Sequence, residues 1–298
     1  MIALRGVLAP VVTPFGGDGE VDLTAFARNI SAHLAAGVSG IVITGSTGEA
    51  ALLDDRERKA LVDRARHAVP NGATLIVGTG SESTRATIAR TASAAERGAD
   101  AALVVAPHYY GGAVSHDALR EHYERVADAS PIPVLLYSIP KYMHFAIAPE
   151  VVALLAAHEN IVGMKDSSGD ASLFAQYIAL QNDAFRVLTG NGPFFAEALR
   201  MGAEGGILAV SLFAPELTLA VWQAHEMGNA EARTLAQQAL TPLAATVVGA
   251  MGVAGVKAAL DLVGLDGGPT RAPLPPLDAA AIMRLGELVR AAALVGAA

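Results

Sequence analysis

The sequence predicts an α/β fold, a (β/α)8 TIM barrel with a C-terminal helical extension. Three observations carry this prediction. Eight short β-rich runs alternate with long Ala-rich helical stretches, roughly 20 to 35 residues apart, as a repeating β-α unit requires. Several runs are almost wholly apolar, for example Ala101-Ala102-Leu103-Val104-Val105. That is the pattern of strands covered on both faces, hence of a parallel sheet. Eight such units favour a closed barrel over an open doubly wound sheet. No Gly-x-Gly-x-x-Gly follows an early strand and no Walker A sequence occurs, so a nucleotide-binding sheet has little support.

The expected strands are Gly6–Val12, Gly40–Thr44, Thr74–Gly78, Ala101–Ala106, Val134–Ser138, Ile161–Lys165, Arg186–Thr189 and Gly205–Val210. Helices with charged faces fall between them, from Asp54 to His67, Ser83 to Arg97 and Ser115 to Ala129. Ser115-His116-Asp117 reads as an N-cap with an acid in the first turn. From about Pro215 onward the chain reads as helices, beginning with the last helix of the barrel. The segment Gly267–Pro276 is a non-helical connection before a final helix from Asp278. No low-complexity linker interrupts the chain. The expected division is therefore a catalytic barrel over residues 1–228 and a helical segment over residues 229–298.

Of the 298 residues, 52% are hydrophobic and 17% charged, enough apolar content for a large core and too much for a disordered chain. With aromatics at only 5%, the core must be Ala, Val, Leu and Ile. The absence of cysteine excludes disulfides, thiolate nucleophiles and zinc–thiolate sites. A net charge of −8, without a basic stripe, argues against a nucleic-acid partner. The start Met1–Arg5 does not read as a signal peptide. The longest largely apolar run, Leu243 to Val256, is short for a membrane span. The expectation is a cytoplasmic protein without a membrane partner.

In such barrels the chemistry sits at the C-terminal ends of the strands and on the loops that follow. After the second strand comes Thr44-Gly45-Ser46-Thr47-Gly48-Glu49. Its glycines, Gly48 among them, allow close backbone approach, and Ser46 and Thr47 offer hydroxyls and N–H groups to a carboxylate. Taken alone, the same hexapeptide also reads as an ordinary capped turn. Tyr109 and Tyr110, after the fourth strand, supply either a phenol to the site or packing and interface surface. Tyr137 closes the fifth strand, where it is either a phenol at the barrel mouth or a core aromatic.

The sixth strand, Ile161-Val162-Gly163-Met164-Lys165, is the most informative. The chain has four lysines: Lys59, Lys141, Lys165 and Lys257. Lys59 lies in a charged helix, Lys141 follows a loop proline and Lys257 lies in a C-terminal helix. Only Lys165 ends an apolar strand, and lysines are rarely buried without a reason. One reason is an ion pair with Asp166. The other is nucleophilic chemistry. At neutral pH roughly one free lysine in a few thousand is uncharged. Desolvation raises that fraction, and a neutral amine adds to a ketone to give an iminium. Forming and collapsing the carbinolamine needs a proton shuttle, which a phenol such as Tyr137 provides. A metal-dependent route needs clustered His and carboxylate ligands, but the eight histidines are scattered, so no metal site is expected.

Gly45-Ser46-Thr47-Gly48-Glu49, Pro107-His108-Tyr109, Tyr137-Ser138-Ile139-Pro140 and Gly163-Met164-Lys165-Asp166-Ser167 resemble the four signatures of the dihydrodipicolinate synthase / N-acetylneuraminate lyase family. They occur in the same order and at similar spacing over nearly the whole chain. The resemblance implies that Lys165 forms a Schiff base, that Tyr137 is the proton shuttle and that Ser46 and Thr47 bind the pyruvate carboxylate. It further implies Tyr109 as a relay tyrosine near a dimer interface, with Tyr110 sharing or taking that role, and Gly190 and Ile207 as pocket lining. It implies a homotetramer built from dimers, with a covalent Schiff base to the substrate in place of a cofactor.

Dihydrodipicolinate synthases typically carry an Arg five residues after the shuttle tyrosine. Here that position is Tyr142, with Lys141 adjacent. The segments Ile161–Asp170 and Gly267–Leu274 look like the 4-hydroxy-2-oxoglutarate aldolase branch. The main expectation is therefore cleavage of a 2-keto-4-hydroxy acid to pyruvate and an aldehyde. The alternatives are condensation of pyruvate with aspartate semialdehyde and dehydration of a keto-deoxy sugar acid. From another class, the chain reads as a non-catalytic barrel sensing a small acid.

Overall fold

The computed structural model describes residue 2 and residues 4–296. Parts of two expectations, for the start Met1–Arg5 and for a helical segment reaching residue 298, lie outside the described residues. Eight parallel strands form a barrel: β1 (Gly6–Pro10), β2 (Gly40–Ile43), β3 (Thr74–Gly78), β4 (Ala101–Val105), β5 (Val134–Ser138), β6 (Ile161–Asp166), β7 (Arg186–Thr189) and β8 (Gly205–Ile207). They pair in sequence order, and β8 closes onto β1. At the closure Gly205 has φ +150°, and a Cβ there would strike the Gly6 backbone. Only glycine lets the first and last strands approach this closely.

Each strand lies where the apolar runs place it, and the ends differ for local reasons. β2 stops at Ile43 because Thr44 turns to a left-handed φ of 49°. β1 pairs only to Pro10, which has no N–H for the ladder. β8 ends at Ile207 rather than Val210 because the chain tightens into a 3-10 turn, Ala209–Leu212, with Ser211 Oγ donating to the Leu208 carbonyl at 2.7 Å. The strands are buried on both faces, and each fully buried Val or Leu contributes about 1.5–3 kcal/mol.

One irregularity places the chemistry. β5 and β6 start in register at Val134 and Ile161, but the register shifts between Val134 and Leu135, so that Leu135 pairs with Gly163. Val162 is the extra residue. A straight continuation would set Tyr137 opposite Met164. The shift sets Tyr137 opposite Lys165 instead. Because side chains alternate along a strand, a one-residue slip changes which side chains share a face.

The outer helices follow the strands and are capped as their sequences suggest. Asp54 and Glu57 form a reciprocal capping box on helix Asp55–Ala68, and Ser115 Oγ accepts from Ala118 N on helix His116–Ala129. Beyond the barrel's last helix, Pro215–Glu226, come Ala230–Leu243, a wider π-type turn Ala244–Ala250, helix Gly252–Leu262 and a final helix Ala279–Gly296. Among the described residues no helix is long and apolar enough to cross a membrane.

Candidate active site

The C-terminal mouth of the barrel holds a cavity of about 170 Å³. Lys165 and Tyr137 enter it from adjacent strands, paired in register, with Lys165 Nζ 4.3 Å from the centre of the Tyr137 ring. Both are buried, at 6% and 3% exposure. Among the described residues Lys165 makes no hydrogen bond or ion pair. Asp166, its neighbour on the opposite face of β6, is committed elsewhere: it accepts from Ser168 Oγ at 2.6 Å. Burial pushes the Asp166 carboxyl up to about 6, against the lowering effect of Ser168. The ion pair between Lys165 and Asp166, left open by the sequence, is not formed.

Gly190 explains how the amine fits. A Cβ at this position would collide with Ser167 Oγ and come within 2.6 Å of Lys165 Cε. The glycine is the space the lysine side chain occupies. Ile207, from the end of β8, is buried and lines the same cavity.

Ser46 and Thr47 face the cavity from the loop after β2. Ser46 Oγ is 3.5 Å from the Tyr137 hydroxyl. Among the described residues the backbone N–H groups of Ser46 and Thr47 have no acceptor within the chain. Two left-handed non-glycine residues bound the loop, Thr44 at φ 49° and Glu49 at φ 54°. Such conformations cost about 1–3 kcal/mol each and persist only where the surroundings enforce them. Thr44 Oγ1 donates to the Gly78 carbonyl at 2.9 Å, and Glu49 N closes the turn onto the Ser46 carbonyl at 3.2 Å. Gly48, expected to contact substrate, does not line the cavity. It lies behind the loop, its carbonyl accepting from Thr13 Oγ1 at 2.7 Å.

Tyr109 and Tyr110 are also placed away from Lys165. They are 77% and 70% exposed, pack edge to face at 4.9 Å and do not line the cavity of their own chain. The loop itself is anchored, because the N–H groups of His108 and Tyr109 both donate to Glu82 Oε2.

Several lining residues were not singled out by the sequence. Ser167 and Asn191 follow β6 and β7, while Val248, Val253 and Val256 come from the C-terminal segment, which folds over the mouth. Lys141 is exposed but belongs to the rim, with its Nζ donating to the Gly249 carbonyl at 2.8 Å. Burial raises the neighbouring Tyr142 phenol above its ordinary range. Among the described residues, Lys141 and Lys165 are the charged side chains that line this cavity. That balance suits an anionic substrate. Lys257 is the larger surprise. It is 1% exposed and ion-paired to Glu49 at 2.5 Å. Burial lowers its amine below the ordinary value, and Glu49 opposes that effect. Among the described residues no group of three or more His, Asp or Glu converges as a metal ligand set.

A (β/α)8 barrel with a buried, unpartnered amine stacked on a phenol at its C-terminal mouth has the architecture of a Schiff-base carbon–carbon lyase of the class I aldolase type. The model of the dihydrodipicolinate synthetase family matches residues 3–292, and the chain belongs to that family. It is 36% identical over 280 residues to a 4-hydroxy-tetrahydrodipicolinate synthase of an Exiguobacterium strain, covering 94% of this chain and 95% of the relative. It is 37% identical over 273 residues to 4-hydroxy-tetrahydrodipicolinate synthase 1 of Streptomyces coelicolor, covering 91% and 88%. Among solved structures, a dihydrodipicolinate synthase from Bacillus anthracis superposes with a TM-score of 0.93 at 30% identity, covering 97% of this chain and 99% of that one. A prophage protein of the same family from E. coli K12, in complex with pyruvate, superposes with a TM-score of 0.92 at 29% identity, covering 98% and 100%.

Proposed function

We propose that this protein binds pyruvate, or a larger 2-oxo acid, as a Schiff base on Lys165 and makes or breaks a carbon–carbon bond at the adjacent carbon. The observation that carries the proposal is the register pairing of Lys165 with Tyr137 beside the free N–H groups of Ser46 and Thr47. The 2-oxo acid carboxylate rests on the hydroxyls and N–H groups of Ser46 and Thr47, which sets C2 toward Lys165 Nζ. The amine adds to C2. Tyr137 supplies the proton that lets the carbonyl oxygen leave as water. The iminium then draws electrons from C3. Loss of a C3 proton gives an enamine that attacks an aldehyde. In the opposite direction a base, Tyr137 or the substrate carboxylate, takes the C4 hydroxyl proton, the C3–C4 bond breaks and an aldehyde departs. The enamine left on Lys165 is protonated at C3 to the iminium. Hydrolysis of the iminium returns the amine. The chemistry is carried by the covalent bond to substrate, without a bound cofactor.

The named relatives favour condensation of pyruvate with aspartate semialdehyde over the retro-aldol reading drawn from the sequence. Cleavage of a 2-keto-4-hydroxy acid keeps one specific support. The rim carries Tyr142 at the expected arginine position, and Lys141 gives one of its three protons to a backbone carbonyl. A lysine offers a point charge where an arginine offers a bidentate fork. Purified protein assayed against both substrate classes separates the two. Consumption of pyruvate only with the semialdehyde supports the synthase reading, and release of pyruvate only from hydroxy-keto acids supports cleavage. Exposure of Tyr109 and Tyr110 supports assembly through that loop, with a homotetramer as the expected form.

A further inference from the structure

The loop that would hold the substrate carboxylate is gripped from behind by the C-terminal segment. Glu49 ends that loop in a left-handed conformation, and its carboxylate is buried. One oxygen pairs with Lys257 Nζ at 2.5 Å, and the other accepts from the Arg271 backbone N–H at 2.8 Å. Lys257 Nζ also donates to the Pro269 carbonyl at 2.7 Å and lies 4.4 Å from the centre of the Phe15 ring. The Arg271 guanidinium sits 4.2 Å from the centre of the same ring and bridges Glu57, the Leu52 carbonyl and the Gly19 carbonyl. Helix Gly252–Leu262, which carries Lys257, also lines the cavity through Val253 and Val256.

We infer that Lys257 and Glu49 are positioning residues: their buried ion pair holds the Ser46–Thr47 loop in its carboxylate-binding shape. The physical reason is the backbone. A glutamate gains nothing by itself from a positive φ. Its side chain ties the end of the turn to the C-terminal segment, while Gly48 and Thr44 are held by Thr13 and Gly78 within the barrel, so the pair over-determines the strained conformation at Glu49. Releasing it lets Glu49 relax toward a right-handed φ. That rotates the turn closed by Glu49 N and the Ser46 carbonyl, and with it the N–H groups beside Lys165. The inference rests on the 2-oxo acid reading of the site and adds a named tether to it.

The test uses the full chain and borohydride trapping of pyruvate, read as the pyruvate concentration that gives half-maximal labelling. In the double variant Glu49→Gln/Lys257→Met both buried charges are removed with volume conserved, which avoids stranding one of them. The single variant Glu49→Gln serves if the double variant does not fold. The expected result is a half-maximal concentration raised at least about ten-fold, equivalent to 1.4 kcal/mol of lost binding. Full labelling is still reached at saturation, because Lys165 itself is untouched. Folded variants with the wild-type half-maximal concentration, changed only in melting temperature, overturn the positioning role and leave the 2-oxo acid reading standing. A wild type that takes no label at any pyruvate concentration overturns that reading, and this inference with it.

Discussion

Gly190→Ala places a single methyl group where the Lys165 side chain runs. The added Cβ would lie 2.6 Å from Lys165 Cε, against an ordinary carbon–carbon contact of about 3.5–4.0 Å. Ser167 Oγ lies closer still to the same point, so both side chains must give way to the methyl group. Lys165 must retreat by about 1 Å, and a misplacement of that size costs on the order of 100-fold in rate. Gly190 has no positive φ, so the backbone tolerates alanine and the effect is steric. The assay is kcat/KM for pyruvate turnover alongside thermal unfolding. The expected result is a loss of about 100-fold with the melting temperature lowered by only a few degrees. Gly112→Ala is the control, because a Cβ there meets nothing within 4 Å, and it should retain full activity. Wild-type turnover in Gly190→Ala would refute the argument that this glycine makes room for a reacting lysine.

Other perturbations test neighbouring parts of the site. Tyr137→Phe keeps the ring against Lys165 and removes only the hydroxyl, so kcat should fall by about 10²–10⁴ with little change in stability. A loss below about ten-fold in stopped assays would assign the proton transfers elsewhere. Ser46→Ala removes a hydroxyl 3.5 Å from the Tyr137 hydroxyl and one carboxylate contact. KM for pyruvate should rise about ten-fold, and an unchanged KM would count against the cradle. Stability should fall on acidification. Burial holds His33 and His122 down to about 4, so the folded state binds fewer protons than the unfolded state between about pH 4 and 6.5. Each contributes up to about 3 kcal/mol above that window, lost as pH falls through it. Asp166, held up to about 6, acts in the opposite sense, since its stabilisation is present at low pH and lost as pH rises from about 3.8 through 6. His33→Leu should make the denaturation profile shallower between pH 6.5 and 4.5, and a slope equal to that of the wild type would place the acid sensitivity in other groups.

The parts of the site legible in the sequence are those carried by a strand end. Lys165 and Tyr137 each close an apolar run, and a barrel brings all strand ends to one mouth. Their exact neighbourhood was not legible, because it depends on the one-residue shift at Val162, and an apolar run has no mark for a bulge. Gly48 and the pair Tyr109 and Tyr110 lie on the predicted loops, yet none of the three lines the Lys165 cavity. A loop motif fixes where the chain passes but not which way each residue faces. The Glu49–Lys257 pair spans 208 positions of sequence, and nothing local to either residue announces the other. A lone lysine in an Ala-rich helix reads as solvated surface until tertiary packing buries it. The same holds for Val253 and Val256, which look like ordinary core positions and instead roof the cavity.

Peptide mapping by mass spectrometry, after incubation with pyruvate and borohydride, asks the most direct question of the molecule. The expected result is one modified peptide carrying Lys165, heavier by the reduced pyruvate adduct, and no adduct in Lys165→Ala. Label on Lys141, or an equally labelled Lys165→Ala protein, would contradict a reactive amine at the end of β6.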